Sequence, residues 1–491
     1  MVDKSILYDN LKSIVGAENV SDKEIIMEAY TGAALSRRER TGILIEKPKK
    51  PDFIARPDST EEIQEIVRLA NQYKVAVIPM GSLTSEYAEA VPLEGGIMLD
   101  MARMNKIEID EELLTVTIEP GVTWAQAFRE LATKGYWVSN QALPGNVSIM
   151  GTTTQGGPHV PLDKHAVPYS SYYSDLTIGM EIVLPTGEIL ITGSAALPGA
   201  KPQRARAYGP DVGALFIASQ GTLGIVVKQT LPLWRVPEAR YVVTGIFKDR
   251  DFKGLARADH RIVSDNLQGP MWAEKVWTRF NGKTQEWEFF AVLLGRKDFV
   301  EFNRKFVEKV IEEEGGTIRE QSPMLEPETD YSGAPLGMAY EEAIFWRPRA
   351  NSIITPSPDI RVVTITAGGT YDQLPELHDA AVRVLAKHGV PMSRIMFGAL
   401  QHRTTTTQTF GLAYQYDLND VEDVNRANAI SKEWREFLKG MPTAHYRLSP
   451  YDTKIIMPKL GQYYELLRKL KQTLDPKRIM NPGKLMDLEP Y

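Results

Sequence analysis

Between Leu143 and His159 the chain reads LPGNVSIMGTTTQGGPH, a run of glycine, threonine and other small residues with few side chains to offer a core. Such a stretch cannot bury itself, so its neighbours must hold it and its composition needs a reason other than packing. Those neighbours are strongly patterned. DFIARP, from Asp52, predicts a short strand, and Ser59-Thr60-Glu61-Glu62 predicts a helix start with Ser59 as N-cap and Ile63, Ile66, Val67 and Ala70 on one face. VAVIP (75–79) predicts a buried strand entering the polar loop Gly81 to Glu89, and GGIMLDM (95–101) and LLTVTIEPG (113–121) predict two more strands before a helix from Trp124 to Lys134. Beyond the small-residue run, LTIGMEIVLPTGEILITG (176–193) predicts a hairpin turning at Thr186-Gly187. YGPDVGALFIASQGTLGIVVKQTLPLW (208–234) then predicts a short helix, a glycine turn and a β-branched strand.

Apolar density falls at Pro237, and 491 residues exceed what one core holds, so two domains are expected with a boundary there. Residues 238–440 alternate strands (YVVTGIF, FFAVLLG, IRVVTITAG, LAYQYDL) with amphipathic helices at 298–314, 372–388 and 421–438, a sheet covered by helices. A last helix, Tyr463 to Thr473, precedes irregular chain around NPGKL. A net charge of −6 with both signs interspersed gives no footprint for a nucleic acid. With no cysteine, disulfides, thiolate metal sites and iron–sulfur clusters are excluded, and redox chemistry would need a bound organic cofactor. The opening MVDKSILYDNLKSIVG carries charges within its apolar stretch, and nowhere do eighteen apolar residues run together, so a cytoplasmic protein without a membrane segment is expected.

Diphosphates need backbone N–H donors brought close with no side chain in the way, which favours glycine. Three segments suit that: Gly81-Ser82-Leu83-Thr84-Ser85, the stretch from Gly145 to Gly157, and Gly221-Thr222-Leu223-Gly224-Ile225. No GxGxxG follows the first strand and no GxxxxGK[ST] occurs, which argues against a Rossmann site or a P-loop.

Five segments in order, ARPDSTEEIQEIVRLANQYKVAVIPMG, EPGVTW, GMEIVLPTGEILITGSAALPG, YGPDVGALF with QGTLGIV, and LKQTLDPKRIMNPGK, resemble the vanillyl-alcohol oxidase and p-cresol methylhydroxylase flavoproteins, with glycolate and D-lactate dehydrogenases as more distant members. The resemblance implies an α+β, two-domain FAD-binding fold: an FAD-binding domain (1–237), an α/β cap over the flavin (238–445), and a C-terminal segment (446–491) returning to the first domain. It implies FAD contacts from Gly81, Ser82, Leu83, Thr84 and Ser85, from Pro144, Gly145, Ser148, Gly151, Thr152 and Gly156, from Gly179, from Gly221, Gly224, Ile225 and Val226, and from Asn481. The first loop lacks the family's run of glycines, so phosphate contacts there fall to Ser82, Thr84 and Ser85.

His445-Tyr446-Arg447 resembles the phenol-oxidising branch, where a Tyr-Arg pair and a second tyrosine hold a phenolate. Arginine suits any anion in a desolvated pocket, since its planar fork stays charged at any working pH. A surface Tyr-Arg pair is the plainer alternative. Tyr87 is the candidate second phenol, spaced differently from the family pattern. Pro168-Tyr169 is followed by serines where that branch has an acid, leaving Asp175 as a base or as a structural acceptor. The stretch 397–417, FGALQHRTTTTQTFGLAYQYD, lacks the HxGDGNxH motif of the hydroxy-acid branch, so no metal is expected. His159, His165 and His402 are candidates for a flavin link or proton relay, or simply structural residues, and noncovalent FAD is the expectation. Trp272, Trp277, Phe280, Trp287, Phe345 and Trp346 suit either a flat pocket or a core.

The activity implied is hydride transfer from the benzylic carbon of a para-substituted phenol to flavin N5. Two alternatives stand beside it: a 2-hydroxyacid dehydrogenase in which Arg447 holds the carboxylate, and a flavin-bearing subunit passing electrons to a partner protein. The family's habit implies a homodimer.

Overall fold

The computed structural model describes residues 4–34, 49–83, 88–138, 147–155, 176–236, 238–248, 252–268, 273–281, 284–319, 360–370, 372–401, 407–417, 419–442 and 448–487. Among them, strand Ile97–Asp100 lies parallel to Phe53–Ala55 on one side and Val77–Met80 on the other, with Val20–Ser21 antiparallel at the outer edge. Parallel strands require a crossover, and helix Thr60–Tyr73 provides it. Ser59 Oγ accepts from Glu62 N at 3.2 Å, as the sequence predicts for an N-cap. Lys74 ends the helix in the left-handed region at φ 54°, donating its N–H to Ala70 O. Ile63, Ile66, Val67 and Ala70 are fully buried against the sheet, each of the larger ones worth about 1.5–3 kcal/mol of transfer free energy.

A second, five-stranded antiparallel sheet has Ile225–Pro232 at its centre, between Thr115–Ile118 and Gly179–Val183. Its hairpin turns at Thr186-Gly187 as predicted, with Gly187 at φ 82°. Gln64 and Arg68 both donate to Gly187 O, fastening this turn to the crossover helix of the first sheet. The two sheets are thereby held beside each other.

The small-residue run differs from the sequence expectation of a loop: its described part contains helix Ile149–Thr153, capped by Ser148. Threonine-rich sequence predicts poor helix, but here the hydroxyls of Thr152 and Thr154 turn back on the preceding turn, donating to Ser148 O at 2.8 Å and to Met150 O at 2.7 Å. A buried string then fixes the helix from beneath, Thr153 Oγ1 to Gln229 Oε1 at 2.6 Å and Gln229 Nε2 to Thr177 Oγ1 at 2.8 Å.

Residues 239–441 build a separate core around a seven-stranded antiparallel sheet. The sequence reading missed three of its strands, Ala273–Asn281, Thr317–Ile318 and Ile395–Gln401, and the helix Phe252–Gln268. AEKVWTRFN is interrupted by Glu274, Lys275 and Arg279 and IMFGALQ by Gly398-Ala399, and long antiparallel pairing with neighbours overrides that weak propensity. Phe280 and Trp287, two of the candidate pocket aromatics, sit inside this core at 1% and 0% exposure.

After helix Gln462–Leu474 the chain returns to the first sheet. Val77 N donates to Ile479 O at 2.7 Å and Asn481 N to Val77 O at 2.9 Å, so residues 479–481 seal the sheet's open edge. One buried ammonium holds this return. Lys471 Nζ donates to Thr222 O and Met480 O, each at 2.8 Å, and to Asp475 Oδ2 at 2.5 Å. Burial pulls the Lys471 amine below its ordinary pKa, against the opposing pull of Asp475. Asp475 in turn accepts from Ile479 N and Met480 N. Lys471→Met, which leaves a buried carboxylate without its counter-charge and two carbonyls without their donor, is expected to cost about 3–5 kcal/mol, read as a lowered urea midpoint for unfolding of the first half.

Candidate functional site

The three glycine-bearing segments meet in one cleft. It is lined by Gly81, Ser82 and Leu83 from the first, by Ser148 and Gly151 from the second, and by Gly221, Gly224, Ile225 and Val226 from the third. The first follows the carboxyl end of strand Val77–Met80 and the third leads into Ile225–Pro232, so the cleft opens where the two sheets abut. Ser148 joins the segments: its N–H donates to Ser82 Oγ at 2.9 Å, its hydroxyl donates to Pro120 O at 2.6 Å, and it accepts from Gly151 N at 3.1 Å. Ser82 is thus a tie between loops as well as a candidate ligand contact. Tyr30, on helix Glu24–Ala34, adds support: its phenol donates to Asp100 Oδ2 at 2.7 Å, and burial beside that carboxylate raises its pKa well above normal. Asp100 immediately precedes Met101, another lining residue.

The backbone around the cleft is strained. Leu83, Ala88, Ala218 and Gln220 take left-handed φ values of 54°, 57°, 59° and 55° without being glycine, a cost of about 1–3 kcal/mol each that the surrounding bonds must hold in place. Ala218 N donates to Thr154 O at 2.8 Å, Gln220 Nε2 to Leu448 O at 2.9 Å, and Asn481 Nδ2 to Gln220 O at 2.7 Å.

The glycines serve two ends. A Cβ on Gly221, already at φ 70°, would fall 2.5 Å from Pro79 Cγ, and one on Gly224 would fall 2.9 Å from Ile182 Cγ2. Those two are demanded by the protein packed behind the cleft, whereas the sequence reading assigned them to a ligand's approach. Gly151 differs: a Cβ there would meet only Ser148, at 3.5 Å, so no crowding by the protein calls for a glycine at this point of the lining. Room kept open beside a short run of backbone is what close contact with a dinucleotide needs, and the lining fits FAD in that respect.

Three of the residues expected at the cofactor stand outside the lining. Thr152 is 3% exposed with its hydroxyl spent on Ser148 O, and Gly179 opens a strand of the second sheet beside Thr192. Asn481 lies just behind, bonded to two lining residues. Thr84, Ser85, Tyr87, Pro144, Gly145, Gly156, Asp175, Tyr446 and Arg447 lie outside the described residues, as do His159, His165, His402, Trp272, Phe345 and Trp346. The sequence reading missed Gln220 and Lys471. Gln220 stood within QGTLGIV, and the Lys471/Asp475 spacing of four on a helix was a visible signal for an ion pair.

Residues 51–193 match the family of FAD binding domains, and residues 457–485 match the C-terminal domain of FAD linked oxidases. Fold and cleft together therefore define an FAD-binding oxidoreductase. The glycolate oxidase subunit GlcD of Bacillus subtilis is 26% identical over 503 residues, covering 99% of this chain and 97% of that protein. In structure, 4-ethylphenol oxidase from Gulosibacter chungangensis, in its isoeugenol complex, superposes with a TM-score of 0.82 at 18% identity over 100% of this chain and 98% of its own. p-Cresol methylhydroxylase with substrate bound gives 0.79 at 20% identity over 99% and 98%. The chain thus carries the two domain types of FAD-linked oxidoreductases, on a fold of the vanillyl-alcohol oxidase type. Among the described residues no helix is long and apolar enough to cross a membrane.

Two substitutions separate the two uses of glycine. Gly221→Ala, with a strained φ and a clash on Pro79, is expected to lower the melting temperature of the apoprotein. Gly151→Ala is expected to leave that temperature unchanged or slightly raised, a helical alanine being favoured by about 0.5–1 kcal/mol, while weakening FAD binding in a fluorescence titration.

Proposed function

We propose that the chain oxidises para-substituted phenols at the benzylic carbon, of the 4-alkylphenol or 4-hydroxybenzyl alcohol kind. The observation that carries the reading is the bond from Gln220 Nε2, in the wall of the FAD cleft, to the carbonyl of Leu448, the residue directly after Arg447. On its other side Leu448 is followed by Ser449, whose hydroxyl donates to Asp452 Oδ2 at 2.8 Å, and Asp452 is paired with the buried Arg435 of the cap core. A segment tethered both to the cofactor cleft and to the cap is where a substrate-holding pair is useful. The phenol substrates named for the two superposing structures support the same reading.

In this proposal the Arg447 guanidinium and the Tyr446 hydroxyl hold the substrate oxygen as phenolate, with Tyr87 as a third donor. Charge-assisted bonds in a desolvated site favour the ionised form, lowering the phenol pKa. The phenolate ring then pushes electron density toward the para carbon, easing departure of its hydride. FAD supplies the hydride acceptor, its N5. Asp175, the first acid after Pro168-Tyr169, is assigned the proton released on the way. Water or rearrangement quenches the resulting quinone methide.

A second reading, oxidation of a 2-hydroxy acid with Arg447 on the carboxylate, is favoured by the full-length likeness to a glycolate oxidase subunit. Anaerobic addition of 4-ethylphenol, and separately of glycolate and D-lactate, distinguishes them by loss of the flavin band near roughly 450 nm. Bleaching by the phenol alone is expected; bleaching by a hydroxy acid alone replaces the first reading with the second. Arg447→Met is expected to lower kcat/KM for the phenol by about 100-fold or more, because a desolvated phenolate loses its charged partner.

A further inference from the structure

Helix Val421–Gly440 of the cap and the short helix Pro450–Ile456 that follows it are joined by an ion pair taken out of water. Arg435 and Asp452 are each 8% exposed, and Asp452 Oδ1 accepts from the Arg435 guanidinium. The other oxygen, Oδ2, accepts from Ser449 Oγ at 2.8 Å, and Ser449 O accepts from Thr453 N at 2.9 Å, so the buried serine caps the short helix and answers to the ion pair at once. Leu448, immediately before it, has its carbonyl held by Gln220 Nε2 at 2.9 Å, in the wall of the FAD cleft. Two adjacent residues are thus bonded to different bodies, one to the cap and one to the cofactor's wall. Arg447 is joined to Leu448 by a single peptide, which spans about 3.8 Å between Cα atoms, so placing Leu448 largely places the root of the Arg447 side chain.

We infer that Arg435 and Asp452 are positioning residues for the substrate: acting through Ser449, their ion pair holds the segment that carries Tyr446 and Arg447 in one place against the FAD cleft. The inference rests on the reading that Arg447 holds the substrate's anionic oxygen, and it applies equally to a phenolate and to a carboxylate. Both anchors are needed. Leu448 held at its carbonyl alone could still turn about the bond to Gln220, and Ser449 held by the cap alone would be free of the cofactor's wall. A buried ion pair adds little stability over apolar side chains of similar volume, but it tolerates few other geometries, which is the property a positioning device requires. Without it the substrate must order its own holder, and that cost is subtracted from binding. FAD binding is left in place, because Arg435 and Asp452 stand outside the cleft's lining.

The test uses the full-length, FAD-loaded protein and whichever of 4-ethylphenol, glycolate and D-lactate reduces the wild-type flavin. Arg435→Leu combined with Asp452→Leu removes both charges together, so none is stranded, and Ser449 still caps its helix. Its expected signature is a KM raised at least tenfold with a smaller change in kcat, at an unchanged dissociation constant for FAD. Arg435→Lys keeps the charge without the planar fork and is expected to fall between the wild type and the double variant; it carries the same comparison if the double variant does not fold. Hydrogen exchange in peptides covering 444–449 needs no substrate, and is expected to quicken in the double variant while the melting temperature holds. A KM that stays at the wild-type value would falsify the inference, whether or not the melting temperature drops, since a merely structural pair moves only the latter. Unchanged exchange in 444–449 overturns it equally. If none of the three compounds reduces the wild-type flavin, the proposed function fails, while faster exchange in 444–449 still upholds the positioning of that segment by the ion pair.

Discussion

The buried ammonium of Lys471 is the constraint from which the site follows. It reaches from the last helix to Thr222 O, in the turn that forms one wall of the cleft, and to Met480 O, in the segment that closes the first sheet. Both carbonyls are main-chain groups that no strand partner satisfies, and a single buried donor with an adjacent carboxylate serves them at once. The arrangement extends through Asp487, which accepts from Arg478 Nε at 2.6 Å and from Gly483 N at 3.0 Å. Burial raises the Asp487 pKa while Arg478 opposes that rise. Lys484 completes the set by donating to Ala88 O at 2.7 Å, beside the first cleft segment. Charges this deep do little for net stability compared with apolar packing, but they accept few alternative geometries, and that selectivity suits a wall whose position matters.

The cleft illustrates how strain and support divide between residues. Four non-glycine residues near it hold left-handed backbone, and three of them have a cross-link from another part of the chain: Thr154 for Ala218, Leu448 and Asn481 for Gln220, Lys484 for Ala88. Such a surface is rigid before any ligand arrives, which spares a bound dinucleotide the entropic cost of ordering its site. The same cross-links bring the segment after Arg447 to the cleft, so the cofactor wall and the proposed substrate segment share a support in Gln220.

Much of this was legible along the chain. Ser59 with an apolar stripe three and four residues apart specified the crossover helix, and Thr186-Gly187 between β-branched runs specified the hairpin, because caps and tight turns are decided by neighbours in sequence. The glycine-bearing segments were also visible, and nine of the residues proposed for the cofactor line one cleft. Less legible were Ala273–Asn281 and Ile395–Gln401, whose strand character comes from partners far away in sequence. The aromatics Phe280 and Trp287 were ambiguous for the same reason: a large ring is equally suited to a pocket or a core until its neighbours are known.

The sequence by itself determined the local elements, through spacing, capping and small residues that act within a few positions of one another, and it gave the cofactor class through the family resemblance its ordered motifs carry. Only the tertiary structure decided what each small or polar residue is for. Gly221 and Gly224 are required by Pro79 and Ile182 behind them, Gly151 is not crowded by the protein, and Thr152 faces away from the cleft into its own helix. Asn481, one letter in a motif, became a buried amide between two cleft segments. The physical reason is that direction, burial and the supply of hydrogen-bond partners depend on chain segments brought together across hundreds of residues, and no local pattern encodes them.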